Sequence, residues 1–91
     1  MQIIVKHLVV NGETTRFAKP IAAEVTFKAG EYFCQNENLG ITTTSSTLEQ
    51  CIEEFKEEIL FVWNEYGKED DSLLTADAKV LKEKILKHVG R

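Results

Sequence analysis

The side chains in this chain that could do chemistry are few. There are two cysteines, Cys34 and Cys51, two histidines, His7 and His88, and a run of glutamates from Glu49 to Glu65. A thiol beside a histidine can make a nucleophile–base pair, and cysteine with histidine at short spacing can hold zinc. Clustered carboxylates can bridge metal ions. The spacing here supplies none of these arrangements. No H-x-x-x-H pair occurs, the cysteines fall in different elements, and no local motif sets a thiol beside a base. Carboxylate-bridged metal sites draw their ligands inward from several helices. Glu53, Glu54, Glu57 and Glu58 instead share the polar face of one helix, where a solvated face is the expected role. The hydroxyls of "TTTSST" read as a strand end and a helix cap, and no glycine-rich phosphate loop is present. The expectation is a non-enzymatic protein with no catalytic residue, metal or cofactor.

The elements that must position these groups follow from pattern. "QIIVKHLVV" at 2–10 is apolar and β-branched with poor alternation, so we expect a first strand buried on both faces. "NGE" is a hairpin-type turn. Residues 14–19 read as either the start of the next strand or a loose connection. After Pro20, "IAAEVTFK" alternates cleanly, with Ile21, Ala23, Val25 and Phe27 on one side. "YFCQN" and "ITTT" give a third and a short fourth strand, separated by "ENLG". A helix then opens at Ser46 or Thr47, either of which closes a capping box, onto Glu49 or Gln50 respectively. Its apolar stripe is Leu48, Ile52, Phe55, Ile59, Val62 and Tyr66, and Gly67 stands where a C′ residue ends a helix. A charged linker, "GKEDDS", leads to a second helix in "LLTADAKVLKEKILKHVG", capped by Ser72 or Thr75, with Leu74, Ala78, Leu81, Ile85 and Val89 inward. The expected fold is one α+β domain over 1–91, an antiparallel three- to four-stranded sheet followed by two helices packed on one face.

Charge is distributed unevenly. The net charge is −4. Residues 48–67 hold six acids (Glu49, Glu53, Glu54, Glu57, Glu58, Glu65) against one base, Lys56, so the excess sits on the first helix. Such a surface repels phosphates and suits a basic protein partner. The acidic linker argues against a helix-turn-helix, and several strands before the helices argue against a ribbon-helix-helix. The start of the chain lacks a signal-peptide pattern, and no stretch approaches the ~20 apolar residues of a membrane span. With so few cysteines, both expected in or near the core, a reducing, cytoplasmic setting is expected. From Leu60 the first helix turns apolar all round in "LFVW". Phe61 falls among Glu54, Glu57 and Glu65. Either the last helix covers this region, or Phe61 and Trp63 meet a partner or a second copy.

The segment "EYFCQNENLGITTTSSTLEQCIEEFKEEI" resembles the HicB-like antitoxin family. The family pattern is matched at Tyr32, Glu37, Leu39, Gly40, Ile41 and Thr43, then at Thr47, Leu48, Glu49, Glu54, Lys56, Glu57 and Ile59. Ser45 stands where the family usually has glycine, and Cys51 where it usually has alanine. The likeness spans roughly residues 20–66. The resemblance implies a compact sheet backed by helices and a non-enzymatic module, often oligomeric, that neutralises a small basic ribonuclease toxin by covering it. On that reading Glu54, Glu57, Phe61 and Trp63 are the partner-binding candidates. Many members carry a C-terminal DNA-binding module. Here only a short helix follows, as in short stand-alone relatives, so direct nucleic-acid binding is not carried over. The other reading is a stand-alone homodimer of the same fold with a structural or regulatory role.

Overall fold

In a computed structural model, residues 1–10 and 12–89 are described; of Val10, Glu13 and Thr15 only the backbone is. Four antiparallel strands come first, β1 (Gln2–Val10), β2 (Glu13–Lys28), β3 (Glu31–Asn36) and β4 (Ile41–Ser45). They lie in the order β1-β2-β3-β4, a simple meander. Helix α1 (Leu48–Val62) follows, continues as a π-helical turn (Trp63–Gly67), and leads through a 3₁₀ turn (Asp71–Leu73) to α2 (Ala76–Val89). This is the expected α+β order, with the sheet at its upper count of four strands.

The turns explain the meander. Ala29 (φ 54°) and Gly30 (φ 80°) both take positive φ, the mirror-image turn whose twist matches the flanking strands. Between β3 and β4, Asn36 Oδ1 accepts from the Leu39 backbone N–H at 2.8 Å, while its Nδ2 donates to the Ala22 carbonyl at 2.8 Å. One side chain therefore fixes the loop and ties it to β2. The expected "NGE" turn joins β1 to β2 through the Val10–Glu13 pair. Its Asn11 lies outside the described residues, as does Gly90, the last residue of the expected second helix.

Of the two readings left open for residues 14–19, the strand is the one found: they begin β2, which runs through Pro20 and does not start after it. Proline is tolerated because the β1–β2 register breaks there: Val5 pairs with Ile21 and His7 with Arg16. That leaves Pro20 where no ladder bond is required of it. Contrary to expectation, β1 is not buried on both faces. Val5 and Leu8 are buried, whereas Ile4 and Val9 are 50% and 64% exposed. The inward parity switches across Lys6, at the register break, and this is what blurred the alternation.

Inward residues of the sheet (Val5, Leu8, Ile21, Ala23, Val25, Cys34, Ile41) join Cys51, Phe55, Ile59 and Val62 of α1 and Ile85 of α2 in one apolar cluster. Both helices therefore cover the same face of the sheet. Helix α1 lies over β3 and β4, while α2 packs on β2 and the π turn and barely touches α1. His88 is buried against β2, with Nδ1 2.8 Å from the Lys19 carbonyl. Midway along α2, Lys82 Nζ donates to the Glu69 carbonyl at 2.5 Å and to Asp71 Oδ1 at 2.8 Å, which pins the charged linker to the helix.

Both cysteines are fully buried free thiols between β3 and α1, as expected. Cys51 Sγ lies 3.4 Å from the Thr43 carbonyl and 3.5 Å from that of Tyr32. Burial pushes the Cys34 thiol up to about 12, and its hydrogen bond with Cys51 adds to the shift. A thiol held protonated in this way is a packing group and not a nucleophile.

Candidate protein-interaction face

Helix α1 is positioned at its start by a single cap. Thr47 Oγ1 accepts from the Gln50 backbone N–H at 3.2 Å, so Thr47 is the N-cap and Ser46 is not. The helix is then held down by Cys51, Phe55, Ile59 and Val62, spaced three or four apart along one stripe. Leu48, Ile52 and Tyr66 flank that stripe half-buried.

The opposite face is left to solvent. Glu49, Glu53, Glu57, Glu58 and Glu65 are exposed and Glu54 is half-buried. Lys56 offers one contact, to Glu53 Oε1 at 3.9 Å between exposed side chains, which is worth little. No other base lies on the helix. Phe61 stands on this face and is 51% exposed. It shares helical spacing with Glu54 and Glu57, and its ring meets Tyr66 edge-on at 6.4 Å. Of the two readings left open for "LFVW", the last helix covering Phe61 is excluded. Helix α2 is committed to β2 and the π turn instead.

Trp63 goes the other way. It is half-buried and packs on the core. Its indole lies so close over Gly67 that a Cβ built there would sit 2.2 Å from the ring's Cε3. Lys68 Nζ stands 5.7 Å from the ring centre on the exposed side, a cation–π contact. Gly67 is therefore not the left-handed C′ residue that the sequence suggested. It lies inside the π turn because the indole leaves no room for a side chain there. The structure thus brings Glu54, Glu57 and Phe61 together and sets Trp63 apart, against its own chain.

A groove that no sequence motif announces lies beside the face. It runs between the β1 edge and α1, with a volume of about 240 Å³, lined by His7, Leu8, Val9, Glu53, Lys56, Glu57 and Leu60. A smaller hollow of about 150 Å³ continues it past Ile4, Val5, Lys6 and His7 to Lys56. Its only sequence signal was the broken alternation of β1. Among the described residues no group of His, Cys, Asp or Glu is placed to hold a metal ion, and no helix is long and apolar enough to cross a membrane. Compared with known proteins, the chain matches no family model, no curated sequence and no solved structure.

Proposed function

We propose that this chain is a cytoplasmic, non-enzymatic protein-binding module, which uses the outer face of α1 to cover a basic protein. The observation that carries the reading is Phe61, half-exposed on a rigid helix and ringed by carboxylates. An aromatic anchor inside a charged rim is the arrangement from which interface hot spots are built. The carboxylates steer a basic partner to it and select against acidic ones and nucleic acid. The resemblance to HicB-like antitoxins gives the partner a chemical class, a small basic ribonuclease toxin. The sheet-then-helices order supports the same reading. Glu54, Glu57 and Phe61 make the contact, and Trp63 supports it from behind by fixing the π turn.

The test is calorimetric titration with the purified basic protein encoded beside this gene. Phe61→Lys is expected to weaken binding by at least ~2 kcal/mol, the threshold of a hot spot. Glu54→Lys with Glu57→Lys is expected to slow association, with a smaller effect as salt is raised. A neighbouring product that does not bind at low salt, or binds Phe61→Lys as tightly as the parent, overturns the proposal.

A further inference from the structure

Among the described residues no strand pairs with the outer side of β1, the long edge of the sheet. β1 is a nine-residue edge strand, against five residues for β4 at the other edge. Met1 and Val25 exchange both backbone bonds, at 2.7 and 3.3 Å. In an antiparallel ladder bonded and non-bonded pairs alternate, so along the same register Ile3 and Val5 bond to β2 while Gln2 and Ile4 turn their N–H and C=O groups outward. An edge of this kind is a template for another strand.

We propose that the occupant is β1 of a second copy of this chain, paired antiparallel about a twofold axis. Two observations select it. The first is charge. The chain as a whole carries −4 and repels its own copy, but the strip along this edge holds Lys6 and Lys56 against Glu53 and Glu57. These charges are also polarised along the strand. Lys56 lines both ends, beside Glu53, but Lys6 lies with Ile4 and Val5 while the two glutamates lie with Leu8 and Val9. Antiparallel pairing sets the basic end of one copy beside the acidic end of the other. The second observation is the parity switch at Lys6. It places exposed Ile4 and Val9 on one face of β1 and buried Val5 and Leu8 on the other. A register with Ile4 opposite Val9 sets exposed apolar side chains on each other and keeps inward residues inward. The result is a continuous eight-stranded sheet with all helices on one face.

This interface uses the β1 edge and shares Glu57, but not Phe61, with the reading of α1, so Phe61→Lys tells the two apart. The test is solution mass by light scattering across a dilution series. The wild type is expected to move from 10.3 kDa towards twice that value as concentration rises. Ile4→Lys with Val9→Lys sets like charges opposite each other and is expected to leave a monomer with unchanged circular dichroism. Ile4→Lys with Val9→Glu sets opposite charges in register and is expected to dimerise more tightly than the double-lysine variant. Phe61→Lys is expected to leave the mass unchanged. Hydrogen exchange is the second measurement: the Gln2 and Ile4 amides are expected to gain protection with concentration in the wild type only. A wild-type mass fixed at the monomer value, a dimer lost in Phe61→Lys, or equal masses for the two charged pairs overturns the proposal.

Discussion

The close approach of Trp63 to Gly67 gives a substitution whose sign can be worked out from the structure. An alanine Cβ at position 67 would lie 2.2, 2.7 and 3.1 Å from three carbons of the indole. Ordinary carbon–carbon contact is ~3.5 Å, so the ring must retreat by about 1.3 Å. Retreat is resisted, since the indole is packed against the core cluster. Overpacking of this kind costs about 1–3 kcal/mol. Alanine recovers part of it, because replacing glycine within a helical turn is worth roughly 0.5–1 kcal/mol. Gly67→Ala is therefore expected to destabilise by about 1–2 kcal/mol, which for a domain this size lowers Tm by roughly 5–15 °C.

Two readouts separate this from a general helix effect. Trp63 is the only tryptophan, so its emission reports the ring directly and is expected to shift red in Gly67→Ala as the indole is lifted towards water. The second readout is a double-mutant cycle with Trp63→Ala, in which the clash has no partner. In that background Gly67→Ala is expected to be neutral or stabilising. If Gly67→Ala in the wild-type background melts at or above the parent with unchanged emission, the close approach does not exist and the reasoning fails.

Thr47→Ala removes the only side-chain cap of α1 and is expected to cost about 1 kcal/mol in urea unfolding, with Ser46→Ala near neutral. Phe55→Ala empties the centre of the α1–sheet contact at a fully buried ring and is expected to cost about 3–5 kcal/mol, read as a large fall in the urea midpoint followed by circular dichroism. The raised Cys34 pKa fixes a pH dependence. The unfolded thiol releases its proton near 9.0 and the folded one near 12, so the folded state binds more protons in between. Stability from this group is complete below pH 9 and falls as pH rises towards 12. Comparison with Cys34→Ala isolates the effect, and the variant's stability is expected to decline less steeply above pH 9. Alkylation of the native protein by iodoacetamide at pH 8 is expected to be slow at both cysteines and fast in urea.

The sheet and both helices were legible because their signals are local. "IAAEVTFK" alternates, Thr47 and Gln50 close a cap, and Leu74 to Val89 repeat at helical spacing. What stayed hidden depends on contacts between distant residues. The β1–β2 register break at Lys6 reverses the inward face of one strand, and no window within β1 discloses which half faces in. Gly67 has the composition of a helix end, yet its reason for being glycine is a ring four residues earlier. The exposure of Phe61 turned on where α2 would dock. Its stripe is equally apolar whichever surface receives it, and only Ile85 entering the core beside β2 and His88 reaching the Lys19 carbonyl decide the matter.

The acidic face of α1 carries a cost that the fold does not recover, and this yields a further test. Glu54 and Glu58 are like charges one turn apart, and the one base on the helix, Lys56, is already beside Glu53. An i,i+4 repulsion costs about 0.2–0.5 kcal/mol, and an attraction in its place is worth a similar amount. Glu58→Lys exchanges one for the other, so it is expected to stabilise the domain by about 0.4–1 kcal/mol and to raise Tm by a few degrees. If the charge serves only solubility, nothing else changes. If α1 is a docking face, the more stable variant associates more slowly with its basic partner at low salt, and the difference fades as salt is added. Stability gained together with recognition lost is the pattern of a site kept below its stability optimum. A variant that is more stable and binds as fast as the parent at low salt would remove α1's charge from the account of recognition and leave Phe61 to carry it alone.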